Sequence, residues 1–210
     1  MARLWNYDGL TKDEWVNPGI YMNLKSQTDM EFGFILDNEN FSRKQFDAIN
    51  RYYFWCDSRF SEIFSLGTFI RYGTYIDRNN LVKGHGFERL EFWGTIKPTT
   101  NFTIEPSWNY EELIRNDSNN FSYAGYILRI RFNYQFTREM SMRFITQYNN
   151  FSDRFSLEPL FTYQVNPFTI FYLGISQNQK NFNDKEIYEL QSWKTTSRQF
   201  FMKFQYLFSI

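Results

Sequence analysis

The chain has one cysteine and one histidine in 210 residues. Cys56 therefore has no partner for an internal disulfide, and His85 cannot belong to a multi-histidine metal centre. Alanine is almost absent, and there are only five prolines. No run of 18 apolar residues occurs, which excludes a transmembrane helix. Neither charge sign is in excess, with 23 basic against 23 acidic side chains, so there is no basic stripe to attract nucleic acid and no acidic tail. The opening MARLWNYDGLTKDEW has no apolar core of a signal peptide. A CxxC pair, an HExxH helix and a phosphate-cradling glycine loop are also missing. Cofactors and metals are accordingly not expected.

What the sequence does have is rings. Phe, Tyr and Trp make up 22% of it, and Asn is frequent. That mixture favours strands joined by polar turns over helices. The closing RQFFMKFQYLFSI places Phe200, Met202, Phe204, Tyr206, Phe208 and Ile210 on one side and Gln199, Lys203, Gln205 and Ser209 on the other. The same period of two runs through YILRIRFNYQF (126–136), MSMRFITQY (140–148), FTIEPSWNY (102–110) and FSLEPLFTYQV (155–165). Such sustained alternation predicts strands.

The expected strands are 19–26, 29–37, 50–57, 62–76, 86–97, 100–110, 121–136, 138–149, 154–165, 168–177 and 197–209. The links between them alternate, tight turns with longer polar loops at 38–49, 77–85, 111–120 and 178–196. Most of these strands meet or exceed the ~9–11 residues that a tilted strand needs to cross a bilayer. The expected fold is therefore all-β, an antiparallel up-and-down transmembrane β-barrel with tight turns on one rim and long loops on the other. Residues 1–18 read as an N-terminal segment and 19–210 as the barrel portion. An odd count of eleven strands, where single-chain bacterial barrels are even, predicts a portion of a larger barrel whose signal peptide lies upstream.

One face of these strands carries Phe, Tyr and Met, which suits lipid. The other carries Arg, Gln, Asn, Ser and isolated Glu, which suits a polar lumen. Its charges, Arg71, Arg89, Glu91, Glu105, Arg129, Arg131, Arg143, Glu158 and Lys203, form the one candidate constellation, a network that would plug the lumen or tune passage of a solute. Pro106 and Pro159 fall mid-strand, each after a glutamate, where a bulge is expected. His85, in the glycine-flanked stretch KGHG, reads as a loop residue and not a catalytic base, and no catalytic residue is assigned. Cys56 reads as a small apolar filler.

The stretch VNPFTIFYLGISQNQ (165–179), the closing TTSRQFFMKFQYLFSI and the run MRFITQYNNFSDRFSLEPLFTYQVNP resemble the C-terminal end of the DUF5916 family. Those are bacterial outer-membrane proteins, common in Bacteroidota, with a family-9-like carbohydrate-binding domain before a β-barrel. The resemblance implies an outer-membrane location, lipid and the barrel-assembly machinery as partners, and carbohydrate as a candidate ligand. In such barrels the alternating aromatic C-terminus is the assembly signal, here Phe204, Tyr206, Phe208 and Ile210. The functional expectation is surface binding or passage of a polar solute. An outer-membrane hydrolase and a soluble ligand-binding β-barrel remain the alternatives. Solubility separates the last of these: the protein should partition with membranes and stay monodisperse only in detergent, and a detergent-free soluble monomer would exclude the membrane fold.

Overall fold

A computed structural model describes residues 1–5, 9, 11–25, 27–115, 120–182 and 192–208. Among these there is no helix. They form thirteen strands: β1 (Ala2–Trp5), β2 (Thr11–Val16), β3 (Gly19–Leu24), β4 (Thr28–Phe41), β5 (Lys44–Arg59), β6 (Phe64–Asp77), β7 (Val82–Thr99), β8 (Phe102–Arg115), β9 (Phe121–Gln135), β10 (Met140–Asn149), β11 (Arg154–Asn166), β12 (Thr169–Phe182) and β13 (Ser192–Tyr206). They make one sheet in chain order, antiparallel wherever the pairing is resolved, with β2 and β3 both on β4. The chain divides into two compact units, 1–61 with 65–93 and 109–125, and 62–64 with 94–108 and 126–210.

The eleven expected strands are all present as β3 to β13, but two more precede them. Residues 1–18, read as a segment outside the sheet, carry β1 and β2. Asp13 to Val16 pair with Glu39 to Leu36, while Gly19 to Leu24 pair with Gly33 to Thr28. Between them, the Pro18 carbonyl accepts from the Phe34 N–H at 3.1 Å. β2 and β3 are thus one line of chain along β4, interrupted at Asn17-Pro18 because proline offers no ladder donor. Twelve positions then cross the sheet among the described residues, so the odd strand count does not hold.

The long loops are also corrected. The expected loop 38–49 is mostly strand. Phe41 pairs with Lys44 across Ser42 and Arg43, whose φ values of 53° and 63° make a two-residue primed turn. The loop expected at 77–85 shrinks to four residues, 78–81, and His85 lies inside β7. β8 runs on to Arg115, and β12 to Phe182; 116–119 and 183–191 fall outside the described residues. Polar composition concealed these extensions, because strands projecting into water need no lipid-facing side chains. The expected bulge at Pro159 is absent as well. Phe144 pairs with Pro159 in unbroken register, and the missing donor falls where the β11–β12 ladder passes from Leu157 to Leu160.

Register sorts the faces. Cross-strand partners share a face, so Met142, Phe161, Leu173 and Met202 lie together, as do Phe144, Pro159 and Phe132. In the first unit Phe32, Phe54 and Ile70 do the same, with Ile20 at the edge. Several of these apolar side chains are exposed, Phe32 by 50%, Leu173 by 48% and Met202 by 72%, and the others are half-buried. An exposed apolar face of this extent does not belong in water.

The buried apolar cluster lies elsewhere. Phe46, Ile49, Tyr75, Ile76 and Leu113, in the first unit, pack where the β4–β5, β6–β7 and β8–β9 hairpins extend furthest, with Phe41 and Leu81 against them. The tips are clasped by polar bonds: Lys44 Nζ donates to the Leu81 carbonyl at 2.7 Å and Lys83 Nζ to the Asp47 carbonyl at 2.8 Å. Gly84 is required here, since a Cβ would come within 2.5 Å of Leu113. Leu113, fully buried, is the test of this cluster. Leu113→Ala should cost about 2–5 kcal/mol and open the tips to limited proteolysis, whereas Leu128→Ala on the exposed face should do neither.

Candidate functional site

The face opposite the exposed rings carries the charges. In the first unit Arg51 stands at its centre, with Nη2 on Asp37 at 2.7 Å and Nη1 on Glu88 at 3.3 Å. Arg71 approaches the other Glu88 oxygen at 3.6 Å. Arg51 and Asp37 are largely buried, 16% and 13% exposed at the side chain. Tyr53 donates to Glu31 at 2.7 Å, and its ring occupies the space that a Cβ on Gly33 would fill. Beyond them Arg78 makes a forked pair with Glu39, at 2.5 and 3.0 Å, and its guanidinium lies 4.6 Å from the Phe41 ring.

These groups surround a cavity of about 420 Å³, lined by Glu39, Ile49, Arg51, Tyr75, Ile76, Asp77, Arg78, Asn79, Glu88, Glu111 and Tyr123. A second, of about 310 Å³, shares Glu39, Arg51 and Arg78 and adds Leu4, Asp13, Trp15, Asn17, Ile35 and Asp37. Burial pushes the Asp37 carboxyl above the usual range; Arg51 pulls it down, and Asp13, Glu39 and Glu88 push it further up. Asp13 is raised too, by burial and then by Glu39. Glu111 is raised by burial and by Glu88.

Asp77 behaves oppositely. Burial would raise it, but it accepts from the Asn79 and Asn80 N–H groups, the Asn80 amide and the Ser122 hydroxyl, and these hold it at about 2. It closes the turn 78–81 and ties it to the start of β9.

The sequence-predicted charges distribute as follows. Arg89 pairs with Glu91 at 2.5 Å, and Arg131 with Glu105 at 3.5 Å, where Asn133 also donates to Glu105 at 2.7 Å. Arg129 stands opposite Gln147, Arg143 opposite Asn133 and Leu160, and Glu158 opposite Ile145, all on the same face as Arg131. They meet as neighbours in register and not as ion pairs. Lys203 lies 5.7 Å from the Tyr172 ring. Phe204 and Tyr206 share the exposed apolar face with Phe171 and Thr169, Phe208 meets Tyr206 at 4.6 Å, and Ile210 lies outside the described residues. Cys56 is on the apolar face opposite Met30 and Thr68. Among the described residues no group of His, Cys, Asp and Glu is placed to hold a metal ion.

Sequence reading missed Asp37, Glu39, Arg51, Arg78 and Glu88. Four of them, all but Glu88, fell in or beside stretches read as loops. A signal was present, since Asp29, Glu31, Asp37 and Glu39 repeat at even spacing through β4.

No family model and no curated protein matches the sequence. Among solved structures, the KdgM porin matches with 10% identity, 94% of this chain, 99% of that one and a TM-score of 0.39. A KdgM porin in complex with disordered oligogalacturonate gives the same values. The NanC porin matches with 6% identity, 93% and 94% coverage and a TM-score of 0.38. Values this low establish neither kinship nor a shared activity.

Asp77 supplies a pH test. Its folded value lies below the unfolded ~3.9, so its contribution is complete above about pH 4 and is lost as pH falls toward about 2. Thermal midpoints measured across that window should fall for the natural protein. Asp77→Asn should start lower and show a shallower fall.

Proposed function

We propose that the chain is a bacterial outer-membrane β-barrel protein that passes a polar solute, carbohydrate among the candidates. The observation that carries this reading is a pair of aromatic rows on the exposed face, with a mainly apolar band between them. One row comprises Trp108, Tyr126, Tyr148 and Trp193, in successive contacts of 6.4, 5.8 and 6.2 Å. Nearer the short turns, Phe102 meets Tyr134 at 6.0 Å and Tyr134 meets Phe136 at 4.8 Å. In the first unit Tyr72, Phe87 and Tyr110 repeat the first arrangement at 5.0 and 6.3 Å.

On β9 the two rows stand eight residues apart, at Tyr126 and Tyr134. Eight residues span roughly 27 Å of strand, or ~20 Å of depth at a tilt near 40°, comparable to the apolar band of a membrane barrel. Between the rows, the shared face of β9 to β13 presents Leu128, Ile130, Phe132, Met142, Phe144, Thr146, Leu157, Pro159, Phe161, Leu173, Ile175, Phe200 and Met202. Its polar members are Thr146, Gln177 and Arg198, which sit next to the first row, with Arg198 Nε donating to Gln177 Oε1 at 3.0 Å. Aromatics at both interfaces with an apolar band between them are what lipid selects.

Membership of the DUF5916 family, with its upstream signal peptide and carbohydrate-binding domain, is part of this proposal. So is recognition of Phe204, Tyr206, Phe208 and Ile210 by the barrel-assembly machinery. Polar passage follows from the charge-bearing opposite face, where carboxylates and guanidiniums neutralise one another and leave a wettable wall.

Two measurements test the proposal together. Detergent-purified protein should migrate differently in gels before and after boiling, and should raise stepwise ion currents in planar bilayers. In a Cys56→Ser background, single cysteines at Arg43, Asn79 or Ser152 should react with an impermeant maleimide on intact cells. Cysteines at Asn101 or Phe168 should react only after lysis. Absence of any current, or the reverse labelling pattern, would refute passage or orientation respectively.

A further inference from the structure

Three large rings occupy the polar face of β5 to β7, where nothing in the lipid-facing pattern calls for them. Trp55 and Phe69 are direct cross-strand partners. Trp93 comes from β7 and lies against Gly67, where a Cβ would stand 2.2 Å from its indole. Its N–H donates to Asp57 Oδ2 at 3.0 Å, and Asp57 is the cross-strand partner of Gly67. One indole face is therefore pressed to the sheet and its edge is pinned, leaving a flat ring turned away from the wall. All three rings are half-buried. By contrast, the polar face of β10 and β11 presents Ser141, Arg143, Ile145, Gln147, Ser156 and Glu158, with no ring among them.

The polar groups beside these rings are already neutralised. Arg71 and Arg89 hold their guanidiniums 5.2 and 5.1 Å from the Phe69 centroid. Arg71 also meets Glu88, and Arg89 meets Glu91. Two positive and two negative groups thus cancel, and the Asp57 carboxylate by Trp93 and the Glu31 carboxylate opposite Trp55 add negative charge. A polyanion arriving here would have to break existing ion pairs and face those carboxylates, which costs it binding energy. A neutral ligand would not. Each guanidinium carries five N–H donors, so donors remain for hydroxyl groups after a carboxylate has been satisfied, and the carboxylates still accept.

Flat apolar surface edged by donors and acceptors with no excess of positive charge suits one solute class above others. A pyranose presents C–H groups on its faces and hydroxyls around its rim, and aromatic lining with a few fixed polar groups is how pockets orient such ligands. We infer that Trp55 and Trp93, beside a Phe69 ring that the Arg71 and Arg89 guanidiniums lie over, form a stacking platform for a neutral saccharide on the polar face of β5 to β7. This deepens the proposed function and rests on it for the route by which the saccharide arrives.

The experiment uses the full chain in planar bilayers, with maltohexaose as the neutral probe and a hexuronate of equal length as the anionic one. Maltohexaose should interrupt the ion current in a concentration-dependent way, with at least tenfold fewer interruptions from the hexuronate. Trp55→Ala and Trp93→Ala should each raise the half-blocking concentration of maltohexaose at least tenfold. Tyr52→Ala, on the opposite face, should leave it unchanged. Should Trp93→Ala fail to fold, judged by loss of the heat-dependent gel shift, Trp93→Phe should give an intermediate rise. A conducting channel that maltohexaose does not block, a stronger block by the hexuronate, or equal block in the Trp variants would overturn the platform. If the protein carries no current, the channel reading fails separately. Tryptophan fluorescence in detergent then decides: a saturable change with maltohexaose, lost in Trp55→Ala, upholds the platform, and no change overturns it.

Discussion

A strand cannot slip by one residue without exchanging its two faces, and this constraint governs the whole chain. Here one face is apolar and the other charged, so a slip would place Arg131 where Ile130 stands and lose both environments at once. Of the register shifts in the resolved pairings, three fall away from the apolar band and the one at Asn178/Gln179 falls at its edge, level with the first aromatic row. They lie at Leu4/Trp5, Asp37/Glu39, Gln164/Asn166 and Asn178/Gln179. Between the aromatic rows the pairings of β9 to β11 run unbroken. Bulges are thus kept to the margins of the apolar band, where water can satisfy the unpaired backbone.

Past the apolar band the face rule relaxes, and a different kind of packing takes over. Ile49 shares its face with Asp37, yet it is buried, as is Ile76 on the next strand. Ala48, with φ at 56°, and its bond to the Asn38 side chain mark where β5 bends to permit this. Asp77 and the Arg78–Glu39 fork then hold the tips at their polar edges. The projecting hairpins consequently behave as a small water-facing domain, with an ordinary hydrophobic cluster under a clasp of hydrogen bonds. Their packing is that of a buried core, which separates it from the exposed apolar face of the strands below.

This division explains what could be read from the sequence. YILRIRFNYQF and MSMRFITQY announced β9 and β10 because the lipid-facing positions impose strict alternation. The same rule failed over 38–49 and 77–85, where Phe46, Ile49 and Ile76 are buried by neighbouring hairpins and not by their own strand's periodicity. β1 and β2 were missed for a related reason, since RLW and TKDEWV are short and border a proline break. The ion pairs were partly legible. Arg89, Glu91, Glu105 and Arg131 stood out by their isolation in apolar strands, whereas Arg51, at the centre of the Asp37–Glu88 network, sits beside a stretch that reads as loop.

The charge pairing has a consequence for what the polar face can do. Arg51 and Asp37 lie mostly out of water, and a guanidinium held there without its carboxylates would be costly. Pairing therefore comes first as a condition of folding, and it leaves little free charge to select an anionic solute. Selectivity then passes to groups whose position the fold has set for other reasons. Trp93 can lie flat only because Gly67 has no side chain, and it stays flat because Asp57 holds its N–H. A ring fixed in that way loses little freedom when a solute stacks on it. The same glycine that weakens β6 as a strand thereby turns a structural contact into a binding surface.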